Sequence, residues 1–170
     1  MFKFSIYGEI IRFATAAQNN LDFSEKQFRS ITEIKIANRK MVEIIKDARE
    51  LNKNVTIALN SDNKNLKKQY DGFRKKVAKV LRVIYLFRKS DEPNQYEFLL
   101  SELKKEAKDN VRLSNKSIDK LIRKNLITAE MASSLFNDYT NVNDMIKKLI
   151  EVAELLYSRK DSLLEDNNKK

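Results

Sequence analysis

Residues 128–157 read TAEMASSLFNDYTNVNDMIKKLIEVAELLY, from Thr128 to Tyr157, and their periodicity decides the fold. The apolar positions Ala132, Leu135, Tyr139, Val142, Ile146, Leu149, Ala153 and Leu156 step alternately by three and four residues. That spacing is the seam of a long amphipathic helix that packs against other helices. Thr128 is a fair N-cap, and the pattern predicts a helix over 128–163. The preceding Lys124-Asn125-Leu126-Ile127 reads as a turn, because Asn is the best non-glycine residue for a left-handed helix end.

Working outward, the same signature recurs. Ser90-Asp91-Glu92-Pro93 is a stop and restart, since proline suits a first helical position. It opens a helix over 93–124 with Tyr96, Leu100, Leu103, Ala107, Ile118, Leu121 and Ile122 inward. The pattern weakens at 110–115, which leaves a continuous helix, a kink, a loop and a hinge there as open alternatives. Upstream, Leu66, Tyr70, Phe73, Val77, Val80, Ile84 and Phe87 define a helix over 62–89, preceded by the N-cap-rich break Asn60-Ser61-Asp62-Asn63. Ser24-x-x-Gln27 is a capping box. It opens a helix over 24–60 whose seam is Ile34, Ala37, Met41, Ile44, Ala48, Leu51, Val55 and Ala58, widened by Ile31, Ile45 and Leu59. Asn38 and Asn52 border that seam and suit a register role.

Short connections make successive helices antiparallel neighbours. The expected fold is therefore all-α, an antiparallel up-down four-helix bundle over 24–164 with a frayed tail at 165–170. A three-helix bundle with one elongated hairpin is the alternative. With two Gly and one Pro in 170 residues, the chain lacks the turn residues of a β-rich protein. Residues 1–20, MFKFSIYGEIIRFATAAQNN, form an apolar N-terminal segment. They read as a short helix on the bundle end, a membrane-interface helix, or a linker following a transmembrane region.

There is no His and no Cys. Disulfides, thiolate metal sites, HExxH sites and Ser-His-Asp triads are thereby excluded. No Gly-rich phosphate loop and no oriented nucleophile–base pair occurs, so the expectation is a non-catalytic protein without a cofactor. No run approaches the ~18 apolar residues of a membrane span.

Net charge is +10, and the helix over 62–89 supplies most of it, with ten basic residues against two acidic. Lys67, Lys68, Arg74, Lys75, Lys76, Lys79 and Arg82 are the expected anion-facing surface. Such a field suits a membrane leaflet, a phosphate group or nucleic acid. Its alternative is a solvated face neutralised by neighbouring helices. Nucleic acid is the weaker reading. The aromatic residues of this helix fall on its core register, and no nucleic-acid-binding motif is present.

Asn137, Asp138, Asn141 and Asp144 form a polar belt on one flank of the 128–163 helix. Oxygen ligands so spaced could hold Mg²⁺ or Ca²⁺ if Glu33 or Glu43 faced them. The plainer reading is a solvated flank or a register-fixing hydrogen bond.

The stretch LIRKNLITAEMASSLFNDYTNVNDMIKKLIEVAELLY resembles the C-terminal cytoplasmic, PhoU-like helical region of the bacterial sodium/phosphate cotransporter family. The resemblance lies in Ile127-Thr128, then Ala132-Ser133-Ser134, Leu135-Phe136-Asn137-Asp138, Tyr139 with Val142, and the closing Leu149-Ile150-Glu151. KNVTIALNSDNKNLKKQYDGFRKKVAKVLRVIY is similar to an earlier hairpin of that region. The resemblance implies a regulatory or accessory module in the cytoplasm at the inner face of the cell membrane. Its implied partner is a transporter membrane domain or the anionic inner leaflet, and it implies no catalysis. Metal-binding members of the PhoU group share an acidic E/D-x-x-x-D motif. Here Ser134 stands four residues before Asp138, so no metal site is carried over. Long regular seams also suit a homo-dimer.

Overall fold

The computed structural model describes residues 2–90 and 93–158, with side chains described over 6–90, 94–108 and 116–158. The expected 165–170 tail and the cap at Asp91-Glu92 lie outside these ranges. The described chain is all-helical, in five helices: α1 (Phe2–Asn20), α2 (Glu25–Asn60), α3 (Lys64–Lys89), α4 (Pro93–Arg123) and α5 (Ala129–Tyr157).

The boundaries have local causes. Ser24 and Gln27 close a reciprocal capping box at the start of α2, with Gln27 Oε1 accepting from the Ser24 amide at 3.0 Å. Asn63 caps α3 by accepting from the amides of Asn65 and Leu66, both at 3.0 Å. Its side-chain nitrogen donates to the Leu126 carbonyl at 2.8 Å, which ties the α2–α3 turn to the α4–α5 turn. Asn125 takes the left-handed conformation (φ 53°). The Leu126 amide then reaches the Leu121 carbonyl at 2.9 Å, the Schellman closure expected of a left-handed helix end. Thr128 caps α5. α4 is helical through 110–115, and Ile122, expected to face inward, is exposed. α5 is helical to Tyr157 and Ser158 is extended; the rest of the expected 128–163 helix lies outside the described residues.

α5 is the hub and packs against α2, α3 and α4. Its burial is consequently wider than one seam. Ala132, Leu135, Val142, Ile146 and Ala153 are buried as expected, and Met145, Ile150 and Val152 join them. Tyr139 and Leu149 are half-buried, and Leu156 is exposed. Pairing along α5 gives the directions. Lys40 meets Glu151 at 2.7 Å, Asp47 meets Lys148 at 2.8 Å and Asn54 meets Asp138, so α2 and α5 run antiparallel. Tyr70 meets Asp138 and Phe87 meets Tyr157, so α3 and α5 run parallel.

Two expectations need correction. Three of the eight residues of the predicted α2 seam are not core. Ala37, Ile44, Leu51 and Ala58 are buried, whereas Ile34, Met41 and Ala48 face solvent. Residues 1–20 do not close the bundle end. α1 lies along α2 and touches no other helix among the described residues. Gln18 meets Thr32 at 3.3 Å, and Lys35 donates to Thr15 at 3.2 Å and Gln18 at 3.1 Å. A 19-residue helix is too long to cap one end of a bundle and finds its apolar contact along a flank.

Candidate functional site

α3 is one-sided because its apolar residues recur with helical period and the cations fill most of the remaining circumference. Leu66, Tyr70, Phe73, Val80 and Phe87 are buried. Lys68, Arg74, Lys75, Lys79 and Arg82 are exposed, and Lys67 is half-exposed. Two of these are neutralised locally. Lys75 pairs with Asp71 one turn earlier at 2.7 Å, and that hydrogen bond holds the Asp71 carboxyl below its ordinary range. Lys79 pairs with Glu106 of α4 at 3.2 Å. Such exposed pairs add little to stability. Lys67, Lys68, Arg74 and Arg82 have no carboxylate partner among the described residues, so the counter-charge expected from neighbouring helices covers only one edge.

Lys76 does not belong to that face. It stands ~100° around the helix from Lys75. Its ammonium lies 5.3 Å from the centre of the Tyr139 ring, a cation–π contact. Desolvation pushes its pKa down, with Glu106 opposing.

The polar belt divides in the same way. Asn137 and Asn141 are exposed, and Asp144 pairs with Lys147 at 3.0 Å. Asp138 is instead 3% exposed and is the centre of a buried cluster. The Tyr70 hydroxyl donates to its Oδ2 at 2.6 Å. The Asn54 amide nitrogen donates to Oδ2 at 2.9 Å and Oδ1 at 3.1 Å. Ser134 Oγ lies 3.5 Å from the Tyr70 hydroxyl. Burial, then the hydrogen bond to Asp138, raises the Tyr70 phenol well above its ordinary range, so it stays a donor. The cluster joins α2, α3 and α5 at one level. It needed no long-range information to suspect: Asp138 is three residues after Leu135 and four before Val142, on the seam itself. Tyr70 on a core register must bring its hydroxyl to a partner.

Glu33 and Glu43 do not approach Asp138 as ligands. Glu43 serves Lys148 at 3.6 Å and Arg39 at 3.4 Å. No group of three or more His, Cys, Asp or Glu among the described residues is placed to hold a metal. Asn52 is exposed, so the register role expected of it falls to Asn54. Asn38 is buried, with its amide nitrogen unpartnered.

Asn143 escaped notice in the sequence, where it looks like part of the polar flank. It is 1% exposed, and neither its amide nitrogen nor its oxygen has a partner among the described residues. It lines a cavity of about 20 Å³ together with Val80, Leu103, Ala107 and Ile146 and with the charged Lys76, Lys79 and Glu106, room for a single water. An unsatisfied buried amide costs about 1–3 kcal/mol. Asn143→Val, close to asparagine in size, should therefore raise stability by about 1 kcal/mol in urea denaturation. A loss of stability would mean that the amide is satisfied in solution.

Fold and surface together define a helical-bundle protein with one strongly basic face. No protein-family model, curated protein or solved structure matches the chain. No helix among the described residues is long and apolar enough to cross a membrane.

Proposed function

We propose that this protein is a PhoU-like, non-catalytic regulatory or accessory module associated with sodium-dependent phosphate transport. In this reading α2–α5 form an antiparallel up-down four-helix bundle in the cytoplasm. The bundle lies at the inner face of the cell membrane, against a transporter membrane domain or the anionic leaflet. The link to phosphate transport rests on the resemblance of 128–157 and its flanks. The supporting observation for the membrane-side placement is the basic face of α3, where Lys68, Arg74 and Arg82 are exposed, Lys67 is half-exposed, and none forms a salt bridge among the described residues.

Each Lys or Arg near an anionic leaflet contributes about 1 kcal/mol. Co-sedimentation should therefore show binding to phosphatidylglycerol vesicles that weakens with salt, and little binding to phosphatidylcholine. Reversing Lys68, Arg74 and Arg82 to Glu should abolish it with melting unchanged. Binding to both lipids alike would count against the reading. Salt-dependent binding to duplex or single-stranded nucleic acid, with no vesicle binding, would replace it with a nucleic-acid function.

A free-standing protein-interaction bundle is the second reading. The solvent-facing Ile34, Met41 and Ile45 of α2 favour it, and binding to neither vesicles nor nucleic acid would leave it standing.

A further inference from the structure

α1 carries two apolar lines. Tyr7, Ile11, Ala14 and Gln18 are covered and form the side that lies on α2. Ile6, Ile10 and Phe13 form the other, with Ile6 56% and Phe13 78% exposed. At ~100° per residue the second line stands about a quarter turn from the first.

The same geometry places Ile34, Met41, Ile45 and Ala48 on α2 between two contact lines. One is the line that meets α1, at Thr32 and Lys35. The other is the line that meets α3, at Leu51 and Val55. A groove of about 310 Å³ joins this strip to the edge of α3, through Ala48, Asn52, Arg74, Ala78 and Leu81. α1 and α3 both run antiparallel to α2 and flank the strip on opposite sides. Helix handedness then turns the free line of α1 and the basic line of α3 to the same side of the molecule.

We propose that this side is a lipid-contact face, in which Ile6, Ile10 and Phe13 enter the boundary between headgroups and acyl chains of an anionic bilayer while Lys68, Arg74 and Arg82 lie on its phosphates. The proposal rests on the anionic-leaflet reading above and adds an insertion element to it. Charge selects an anionic occupant, and the exposed Ile6, Ile10 and Phe13 select a bilayer over nucleic acid. The α2 strip (Ile34, Met41, Ile45, Ala48, Arg49, Asn52) carries no carboxylate. On the outward line of α3 the acid is Asp71, already held by Lys75. A second copy would bring another +10 chain to the same face, which self-repulsion disfavours. An apolar line of three residues binds a membrane only marginally alone, and stable attachment needs a second signal such as a polybasic surface. Both are present on one side here.

The chain has no Trp, so Phe13→Trp in the full chain gives a single reporter at an exposed site. With phosphatidylglycerol vesicles its emission should shift to the blue and be quenched by lipids brominated near the headgroup. Adding Ile6→Ser should lower vesicle affinity about tenfold with melting unchanged. Vesicle binding without blue shift or quenching would overturn the insertion while leaving the leaflet reading intact. Failure to bind anionic vesicles would remove both. A blue shift that appears without vesicles and grows with protein concentration would assign the face to a second copy.

Discussion

Phe73→Ala should cost about 3–5 kcal/mol. Phe73 is 1% exposed, on the α3 line that faces α5. Its ring meets two others edge to face, Tyr70 at 5.2 Å and Tyr139 at 4.6 Å between centres, at interplanar angles of 76° and 87°. Each such contact adds about 0.5–1.5 kcal/mol beyond area burial. Truncation therefore removes the transfer energy of the ring, both aromatic contacts and the packing of the site. Neither neighbour can collapse freely into the space, because each ring is held at its hydroxyl. Tyr70 is bound to Asp138, and Tyr139 donates to Gln69 at 3.2 Å. Urea denaturation measures the effect directly. Phe73→Leu should recover more than half of the loss, since it restores volume without the edge-to-face contacts. A Phe73→Ala variant that loses less than about 1 kcal/mol would mean that α3 does not pack on α5 through this line.

The helices were legible because their signals are local. The capping box at Ser24 and Gln27, the left-handed Asn125 and the Thr128 cap each act within a few residues, and each appears where the sequence places it. The α2 seam shows where local reading stops. Two lines on α2 repeat every seventh residue, Ala37–Ile44–Leu51–Ala58 and Ile34–Met41–Ala48, and both look like core. In the fold the first line is buried, and its companion toward α5 is the polar line Lys40–Asp47–Asn54. Hydrophobicity alone ranks Ile34 and Met41 above Lys40 and Asp47. The choice reverses only because α5 presents Glu151, Lys148 and Asp138 to receive them. That is pairing between residues as many as 111 positions apart, invisible to a periodicity count on either helix. The basic face of α3 was legible for the opposite reason, since charge on an exposed surface needs no partner to be seen. Lys76 departs from it because its ammonium is drawn to the face of the Tyr139 ring.

Asp138→Ala should cost about 2–4 kcal/mol, although it removes a carboxyl group that could have been a solvated one. The loss comes from what is left behind. The buried Tyr70 hydroxyl would keep only the long contact to Ser134 Oγ, and the half-buried Asn54 amide would lose its acceptor, at up to about 1–3 kcal/mol each. Tyr70→Phe alone should cost about 1–2 kcal/mol, since it deletes the donor together with its need for a partner. The two changes should not add. In a Tyr70→Phe background, Asp138→Ala leaves one orphan donor instead of two and should cost at least about 1 kcal/mol less. Asp138→Asn separates acceptor strength from shape, because it keeps an oxygen for one donor and should fall between wild type and alanine. Additive losses would show that Tyr70 and Asp138 do not share a hydrogen bond in solution. Coupling, by contrast, would make Asp138 a register device. It is a polar contact that α2, α3 and α5 satisfy together in one alignment, and that any slip by a turn of helix would leave buried and unmet. It would also explain why an acidic residue sits on the α5 seam of a protein whose cations are turned outward. The carboxyl group fixes how the three helices stand, and that alignment presents α1, the α2 strip and the basic line of α3 on one side.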